Sequence, residues 1–263
     1  MTVADFLASG PQVDPLHEAL KAVVRQHSDS HPRSAQKRLG PSEVGHPCAR
    51  KMVQSLLFGS GNTGTGKPIN APGDPLPAYI GTAGHARLEE ALALDNERLV
   101  GEGSEPRWLS ERKVVVREDL SGTADLYDMQ TGTVIDFKFP GSTAFNEYKR
   151  YGPSLTYRVQ AHLYGAGYRN EGFNVHSVGI WFLPRAGRLA SAHLWTEAFD
   201  QAIVDDALTR IDYAHNIIGM LELEEHPERL KFVPTSPHNC VWCKYFSPVP
   251  HEDPCACPGD SNG

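Results

Sequence analysis

Two consecutive strand-like segments carry charged residues inside an otherwise apolar pattern, and a turn at residues 129–132 separates them. Asp125 lies on the first segment, and Asp136 and Lys138 lie on the second. Because alternate side chains of a strand point to the same face, Asp136 and Lys138 share one face while Phe137 points to the other. A hairpin brings Asp125 alongside them. The pattern therefore predicts antiparallel strands that place two carboxylates and one amine at a common site.

The charged residues of this hairpin have two interpretations. Two carboxylates can bind Mg²⁺ or Mn²⁺ through oxygen ligands, and a neighbouring ammonium can orient or activate a water that attacks a phosphate. A surface ion pair at the end of a sheet is the simpler explanation for an acid and a lysine two residues apart. The other candidate residues of the chain decide between these interpretations.

The length and composition of the chain predict a single domain over residues 1–263. With 263 residues, of which 40% are hydrophobic, the chain can bury one substantial core. We expect N-terminal helices within residues 14–58 and the core elements of the domain within 79–195. A long helix and a cysteine-containing segment are expected within 197–263.

Charge and hydropathy indicate where the protein is located and which partners it can bind. No apolar run approaches the length of a membrane span, and the first residues lack a basic region followed by an apolar core. We therefore expect a cytoplasmic protein, in the host cytoplasm if the source is viral, with no membrane partner. A formal net charge of -7 disfavours a general nucleic-acid coat protein but allows a local positive groove. The aromatic and basic residues of 148–151, with Tyr157 and Arg158, are a candidate for base stacking, and tyrosines folded over the core are an equal alternative.

Hydrophobic periodicity and turn residues predict alternating helices and strands. Helices are predicted at 14–27, at 47–58 with Pro47 able to start the helix, at 79–99, at 154–169 and at 197–225. Strands are predicted at 112–117, 122–129, 133–139, 175–183 and 189–194.

The Gly- and Pro-rich segment 59–78 is predicted to be a long loop. Within it, residues 61–67 match a phosphate-binding loop, but Pro68 stands where that loop requires Ser or Thr. No β-branched strand precedes the match. We therefore reject nucleotide binding by this segment.

Two of the predicted helices carry further candidate site residues. Gly81 and Gly84 precede His85 and allow another backbone to approach the helix, so the imidazole can reach the strands. Gln160 and Tyr164 are four residues apart and share one helical face. The simpler alternatives are a histidine that packs at a helix start and the polar edge of an amphipathic helix.

The five cysteines favour a bound metal over disulfides, as expected for a cytoplasmic protein. Four of them crowd the C-terminal segment, and Cys48 lies near the other end of the chain; the four are Cys240, Cys243, Cys255 and Cys257. A zinc site could use the four C-terminal thiolates alone and would leave Cys48 unused.

The Asp125, Asp136 and Lys138 pattern, together with the order helix, three strands, helix, strand, resembles the PD-(D/E)xK nuclease superfamily. Its RecB-like iron-sulfur exonuclease branch is the most similar, a branch that includes the CRISPR-adaptation exonuclease, its phage relatives and the AddB nuclease domain. The resemblance implies an α/β restriction-endonuclease-like core with extra N- and C-terminal helices and a cysteine-ligated cluster that joins the two ends.

The resemblance also implies roles for the candidate residues. Lys138 activates the attacking water, and Gln160 and Tyr164 hold the lysine or the DNA strand. The implied ligands of Mg or Mn are His85, Asp125, Asp136 and the carbonyl of Phe137.

For the cysteines, the resemblance implies an iron-sulfur cluster of the 4Fe-4S type, with zinc as the alternative. Cys48, Cys240 and Cys243 are three of the implied ligands. Cys257 is preferred as the fourth because Cys-Pro is a frequent ligand context, and Cys255 is the alternative.

The function that the resemblance implies is a metal-dependent DNA exonuclease that acts on single-stranded DNA or duplex ends in recombination, repair or CRISPR-type processing. A helicase, a recombinase or a CRISPR-adaptation protein would be its partner. The alternatives are a non-catalytic nucleic-acid-binding or assembly subunit with the same fold and a zinc-stapled endonuclease. Two carboxylates that repel phosphate disfavour the binding subunit.

Overall fold

The computed structural model describes residues 14–30, 39–59, 69–70, 74–237 and 240–259. Residues 61–67 and Pro68, for which nucleotide binding was rejected, lie outside these ranges. The helices are α1 (Pro15–Ser30), α2 (Pro41–Val44), α3 (Ala49–Phe58), α4 (Leu76–Gly101), α5 (Ser142–Tyr151), α6 (Leu155–Asn170) and α7 (Gln201–Met220). The strands are β1 (Trp108–Arg117), β2 (Leu120–Asp128), β3 (Thr133–Lys138), β4 (Ser177–Phe182) and β5 (His193–Ala198). Within the described ranges, no helix combines the length and the apolar character that a membrane crossing requires.

The described residues form a five-stranded sheet in the order β1-β2-β3-β4-β5. β1, β2 and β3 are successive antiparallel neighbours, β4 and β5 are antiparallel, and β3 and β4 are parallel. A parallel pair requires a crossover, and α5 and α6 supply it between β3 and β4. The predicted mixed α/β fold and the predicted hairpin of β2 and β3 are confirmed.

Helix α6 lies between two apolar clusters and is buried on all sides along residues 159–168. Tyr164 and Tyr168 pack with residues of the sheet, whereas Val159 and Leu163 pack with residues of α3 and α7. A helix with apolar contacts on every side is held firmly in position. The side chains that α6 directs toward the sheet are therefore well placed to build a precise site.

The observed elements differ from the predicted ones at several places. A short helix, α2, precedes α3, α4 begins at Leu76 inside the predicted loop, and α7 ends at Met220. Helix α5 was not predicted, because its residues read as a basic and aromatic connection. β1 begins at Trp108 instead of residue 112. The predicted strand at 189–194 is a 3₁₀ turn (Leu189–Ser191) followed by β5, so α7 begins at Gln201 and not at 197.

The start of α7 has a local cause that the helical periodicity did not reveal. The side chain of Asp200 accepts a hydrogen bond from the amide of Ala202 at 2.9 Å and caps the helix. The residues before this cap alternate between half-buried and exposed along β5. They therefore pair with β4 instead of extending the helix.

Candidate metal centre and cysteine cavity

The hairpin of β2 and β3 opens at the charged residues. Its ladder ends at the pair Leu126 and Ile135, one residue short of Asp125 and Asp136. Beyond this point the amide of Phe137 donates a hydrogen bond to Asp125 Oδ2 at 2.6 Å. The Asp125 carboxylate thus takes the place of a strand carbonyl, and Asp125 Oδ1 is left for other contacts.

Asp136 is almost fully buried, with 1% of its surface exposed. Its Oδ1 accepts a hydrogen bond from Gln160 Nε2 at 2.9 Å, and its Oδ2 lies 2.5 Å from Lys138 Nζ. Burial raises the pKa of Asp136, the Lys138 ammonium lowers it, and the Asp125 carboxylate raises it further. A cation bound nearby would favour the ionised form of both carboxylates.

Lys138 is held from its other side by an aromatic ring. Its Nζ lies 4.8 Å from the centroid of the Tyr157 ring. Tyr157 contacts Tyr148, which in turn stacks on Phe182 with a centroid separation of 4.8 Å. The ammonium is therefore placed between a carboxylate and an aromatic face.

The predicted base-stacking patch is largely used for packing. Tyr148 and Tyr157 are half-buried beside Lys138, and Arg158 donates a hydrogen bond to Glu197 at 2.5 Å. Tyr151 remains 73% exposed, beside Arg150. Of the two interpretations of this segment, the contacts of both inner tyrosines match packing over the core.

Gln160 and Tyr164 lie one turn apart on the face of α6 that meets β3. Gln160 Nε2 lies 3.4 Å from the Tyr164 hydroxyl, and both residues are buried. The amide of Gln160 contacts Asp136, whereas the resemblance led us to expect a contact with Lys138 or the DNA. His162, between them, points away and contacts Glu197 at 2.8 Å.

His85 on α4 reaches the same site. Its Nδ1 lies 3.3 Å from Asp125 Oδ1 and 3.8 Å from Glu111 Oε1. The imidazole lies beside the rings of Phe137 and Phe139, with centroid separations of 5.9 and 5.5 Å. Burial lowers the pKa of His85, but the two carboxylates outweigh burial and raise the pKa to about 9.

The two glycines before His85 have different surroundings. A Cβ atom on Gly84 would lie 2.5 Å from the ring of Phe139, whereas a Cβ on Gly81 would have no atom within 4 Å. The close approach predicted for both glycines therefore applies to Gly84 alone. It is made by a side-chain ring and not by another backbone.

Glu111 is a site residue that the sequence analysis missed. It lies in β1 between Ser110 and Arg112, which pair with residues of β2 on either side of Asp125. Its φ of 47° is a conformation that residues other than glycine rarely adopt. The predicted strand began at residue 112 and so left Glu111 in a connection. An acidic residue inside a Val-rich strand is the signal that would have found it.

His85, Asp125, Asp136 and Gln160 line a cleft of about 450 Å³. Two buried polar atoms in the described part of the cleft make no hydrogen bond, His85 Nδ1 and Gln160 Oε1, and Asp136 Oδ2 contacts Lys138. Carboxylate oxygens and an imidazole nitrogen are donors that Mg²⁺ and Mn²⁺ accept. The residues present therefore fit a divalent cation. The cleft is also lined by Gly40, Pro41, Ser42, Lys113, Ser121, Gly122, Thr123, Lys138 and Tyr164.

Four of the five cysteines line a second, much smaller cavity of about 20 Å³, which we call the cysteine cavity: Cys48, Cys240, Cys243 and Cys257. Cys255 instead lies in the apolar cluster of α3 and α7. Burial raises the pKa of Cys243, and the nearby thiols of Cys257 and Cys48 raise it further. A metal would reverse this effect, because metal binding stabilises thiolates.

Arg50 and Gln54 of α3 hold the C-terminal segment at the cysteine cavity. Arg50 is buried and donates hydrogen bonds to the carbonyls of Val233 and Lys231, each at 2.9 Å. It also donates to Cys257 Sγ at 3.6 Å, and Gln54 donates to the carbonyl of Cys255. These contacts join the two ends of the chain.

Comparisons with known proteins gave structural likenesses only. No protein-family model matches the chain, and a search of curated proteins gave no match. Among solved structures, the alkaline exonuclease LHK-Exo from Laribacter hongkongensis is 12% identical, with a TM-score of 0.48 over 77% of this chain and 97% of that chain. A phage-related exonuclease from Haemophilus somnus 129PT is 15% identical, with a TM-score of 0.42 over 67% of this chain and 82% of that one. The protein SSO0001 is 12% identical, with a TM-score of 0.40 over 88% and 95%.

Proposed function

We propose that this protein is a metal-dependent DNA exonuclease with a restriction-endonuclease-like core, acting on single-stranded or frayed DNA ends. The observation that carries the proposal is the buried Asp136 carboxylate, which contacts Lys138 and Gln160 while facing Asp125 across the open end of the hairpin. A surface ion pair would be exposed, whereas Asp136 is buried at the wall of a cleft.

The donor set suits Mg or Mn. We assign as ligands His85, Asp125, Asp136 and the carbonyl of Phe137. A bound divalent cation would polarise the scissile phosphate and stabilise the leaving oxygen.

The residues of the chain itself position the reacting groups. Lys138 donates a hydrogen bond to the attacking water, and Asp136 and the ring of Tyr157 restrict where its ammonium can lie. Gln160 orients the Asp136 carboxylate by binding its Oδ1. Lys113 lines the same cleft and adds a positive charge that attracts a DNA phosphate.

We further propose that the cysteine cavity holds an iron-sulfur cluster on Cys48, Cys240, Cys243 and Cys257. The separate location of Cys255 supports this choice of ligands, since a zinc site made of the four C-terminal thiolates needs that residue at the cavity. The cluster would join the ends of the chain and has no role in the reaction. An iron and zinc assay of anaerobically purified protein distinguishes the two metals.

Digestion of DNA oligonucleotides labelled at either end tests the proposed activity. With Mn²⁺ or Mg²⁺ we expect stepwise shortening from one end, and with chelator we expect none. Asp136→Asn should abolish the activity, and the exposed Glu118→Gln serves as the matched control. Binding of DNA without any cleavage under these conditions would instead identify a non-catalytic subunit.

A further inference from the structure

Glu111 adds a carboxylate donor to His85 and Asp125, beside the Asp136 and Lys138 pair. His85 Nδ1, a carboxylate oxygen of Glu111 and a carboxylate oxygen of Asp125 all lie within 4.8 Å of one another. The three residues belong to α4, β1 and β2, so three separate elements converge at this point. His85 Nδ1 is buried and makes no hydrogen bond to the described residues.

The two oxygens of Asp125 face different neighbours. Oδ2 accepts the hydrogen bond from the amide of Phe137, while Oδ1 lies 3.3 Å from His85 Nδ1. Asp136 is engaged on both oxygens, by Gln160 and by Lys138. The oxygen of Asp125 that remains open is therefore the one that faces the imidazole.

A buried polar group in the same cleft independently indicates a ligand. Gln160 is 5% exposed, and its Oε1 atom has no hydrogen-bond partner among the described residues. Gln160 and His85 both line the cleft. Buried polar atoms are normally satisfied, so two unsatisfied ones at one cleft are consistent with a bound ion and its water.

We infer that Glu111 is a further metal ligand, which binds the proposed cation together with His85 and Asp125. One imidazole and two carboxylates make a mixed nitrogen and oxygen set, which suits Mn²⁺ better than Mg²⁺. The inference rests on the proposed function only in taking the cleft as a cation site.

Titration of Mn²⁺ followed by electron paramagnetic resonance tests this inference without measuring activity. Glu111→Gln should weaken Mn²⁺ binding by about tenfold or more, since even residues behind a ligand contribute about tenfold. The exposed Glu118→Gln should bind Mn²⁺ as the wild type does. Wild-type affinity and stoichiometry in Glu111→Gln would overturn the inference.

The variant Glu111→Gly tests whether a loss of Mn²⁺ binding comes from the missing carboxylate or from a folding defect. Glycine tolerates the φ of 47° at this position, so this variant removes the carboxylate without backbone strain. It should lose Mn²⁺ affinity as Glu111→Gln does, with a circular dichroism spectrum like that of the wild type. A wild-type protein that binds no Mn²⁺ would also overturn the inference, and would identify His85 as an imidazolium held between two carboxylates.

The outcomes separate this inference from the proposed function. Glu111-dependent Mn²⁺ binding in a protein that cleaves no DNA would contradict the nuclease proposal and uphold the role of Glu111. If cleavage requires Asp136 but Glu111→Gln leaves Mn²⁺ binding unchanged, the nuclease proposal is upheld and the role of Glu111 is contradicted.

Discussion

The metal centre and the cysteine cavity both gather residues from distant parts of the chain, but different structures hold them. The metal centre is built on β2, β3, α4 and α6, which are long regular elements around a packed core. The cysteine cavity joins the residue that precedes α3 to a C-terminal segment made of a short 3₁₀ turn and irregular backbone.

This difference predicts that the structure of the metal centre depends little on its cation, whereas the structure around the cysteine cavity depends strongly on its cluster. At the metal centre, Lys138 and Gln160 already compensate the buried Asp136 carboxylate, so the site can keep its geometry without a cation. At the cysteine cavity, Arg50 and Gln54 hold a C-terminal segment of irregular backbone, and a bound cluster would in addition close a loop over most of the chain. By analogy with a disulfide of that span, closure could stabilise the fold by about 4 to 5 kcal/mol.

The largest expected effect is at the metal centre and concerns the rate of DNA cleavage. Asp136→Asn and Lys138→Ala should each lower the rate of DNA cleavage by about a thousandfold, because each removes a charge that acts on the reacting phosphate or water. Asp136→Asn should unfold at close to the wild-type temperature, whereas Lys138→Ala leaves the buried Asp136 carboxylate without its cation and should unfold at a lower temperature. Undiminished metal-dependent cleavage in both variants would contradict the assigned roles.

Substitutions at the cysteine cavity should instead affect metal content and stability. Cys48→Ser and Cys257→Ser should lose bound metal and expose the C-terminal segment to protease, with a fall in stability of several kcal/mol, about the size expected for an equivalent cross-link. Metal content, limited proteolysis and chemical denaturation measure these effects.

Cys255→Ser is the matched control for the cavity. It should keep the metal, because Cys255 lies in the apolar cluster, and should lose about 1 to 3 kcal/mol by burying a hydroxyl there. Loss of metal in Cys255→Ser with retention in Cys257→Ser would reverse the assignment of the fourth ligand.

A smaller effect on activity is expected at Tyr157, whose ring helps to position the Lys138 ammonium at the metal centre. Tyr157→Leu should lower kcat about tenfold, with little change in KM, because the aromatic face under the Lys138 ammonium is lost. Tyr157→Phe keeps that face and should retain most of the activity. Equal loss in both variants would point to the hydroxyl rather than the ring.

The smallest effect distinguishes the two glycines of α4. Gly81→Ala should stabilise the protein by up to about 1 kcal/mol through helix propensity, since its surroundings are open. Gly84→Ala should destabilise it and reduce cleavage several-fold, because the new methyl group displaces Phe139 and with it His85. Thermal unfolding and the oligonucleotide assay measure both variants.

Local periodicity explains which parts of the site could be predicted from the sequence. Alternation along a strand relates Asp136 to Lys138, and the helical repeat relates Gln160 to Tyr164. The turn at 129–132 brings Asp125 to the same hairpin. Each relation joins residues that are close in sequence, so the geometry of one element is enough to predict it.

Contacts between elements were decided by the tertiary structure alone. Neither the opening of the hairpin beyond Leu126 nor the ring of Tyr157 under Lys138 follows from any local pattern. Arg50 reaches carbonyls on the far end of the chain, which no spacing in its own helix indicates.

The sequence by itself determined the type of most of the main elements and the charged groups of the hairpin, because these depend on period and turn chemistry. The tertiary structure alone decided that Glu111 lies beside His85 and Asp125. It also separated Cys257, which lines the cysteine cavity, from Cys255, which lies in the apolar cluster. The physical reason is that the packing of whole elements sets how they lie against one another. Packing depends on many side chains at once and leaves no periodic trace in the sequence.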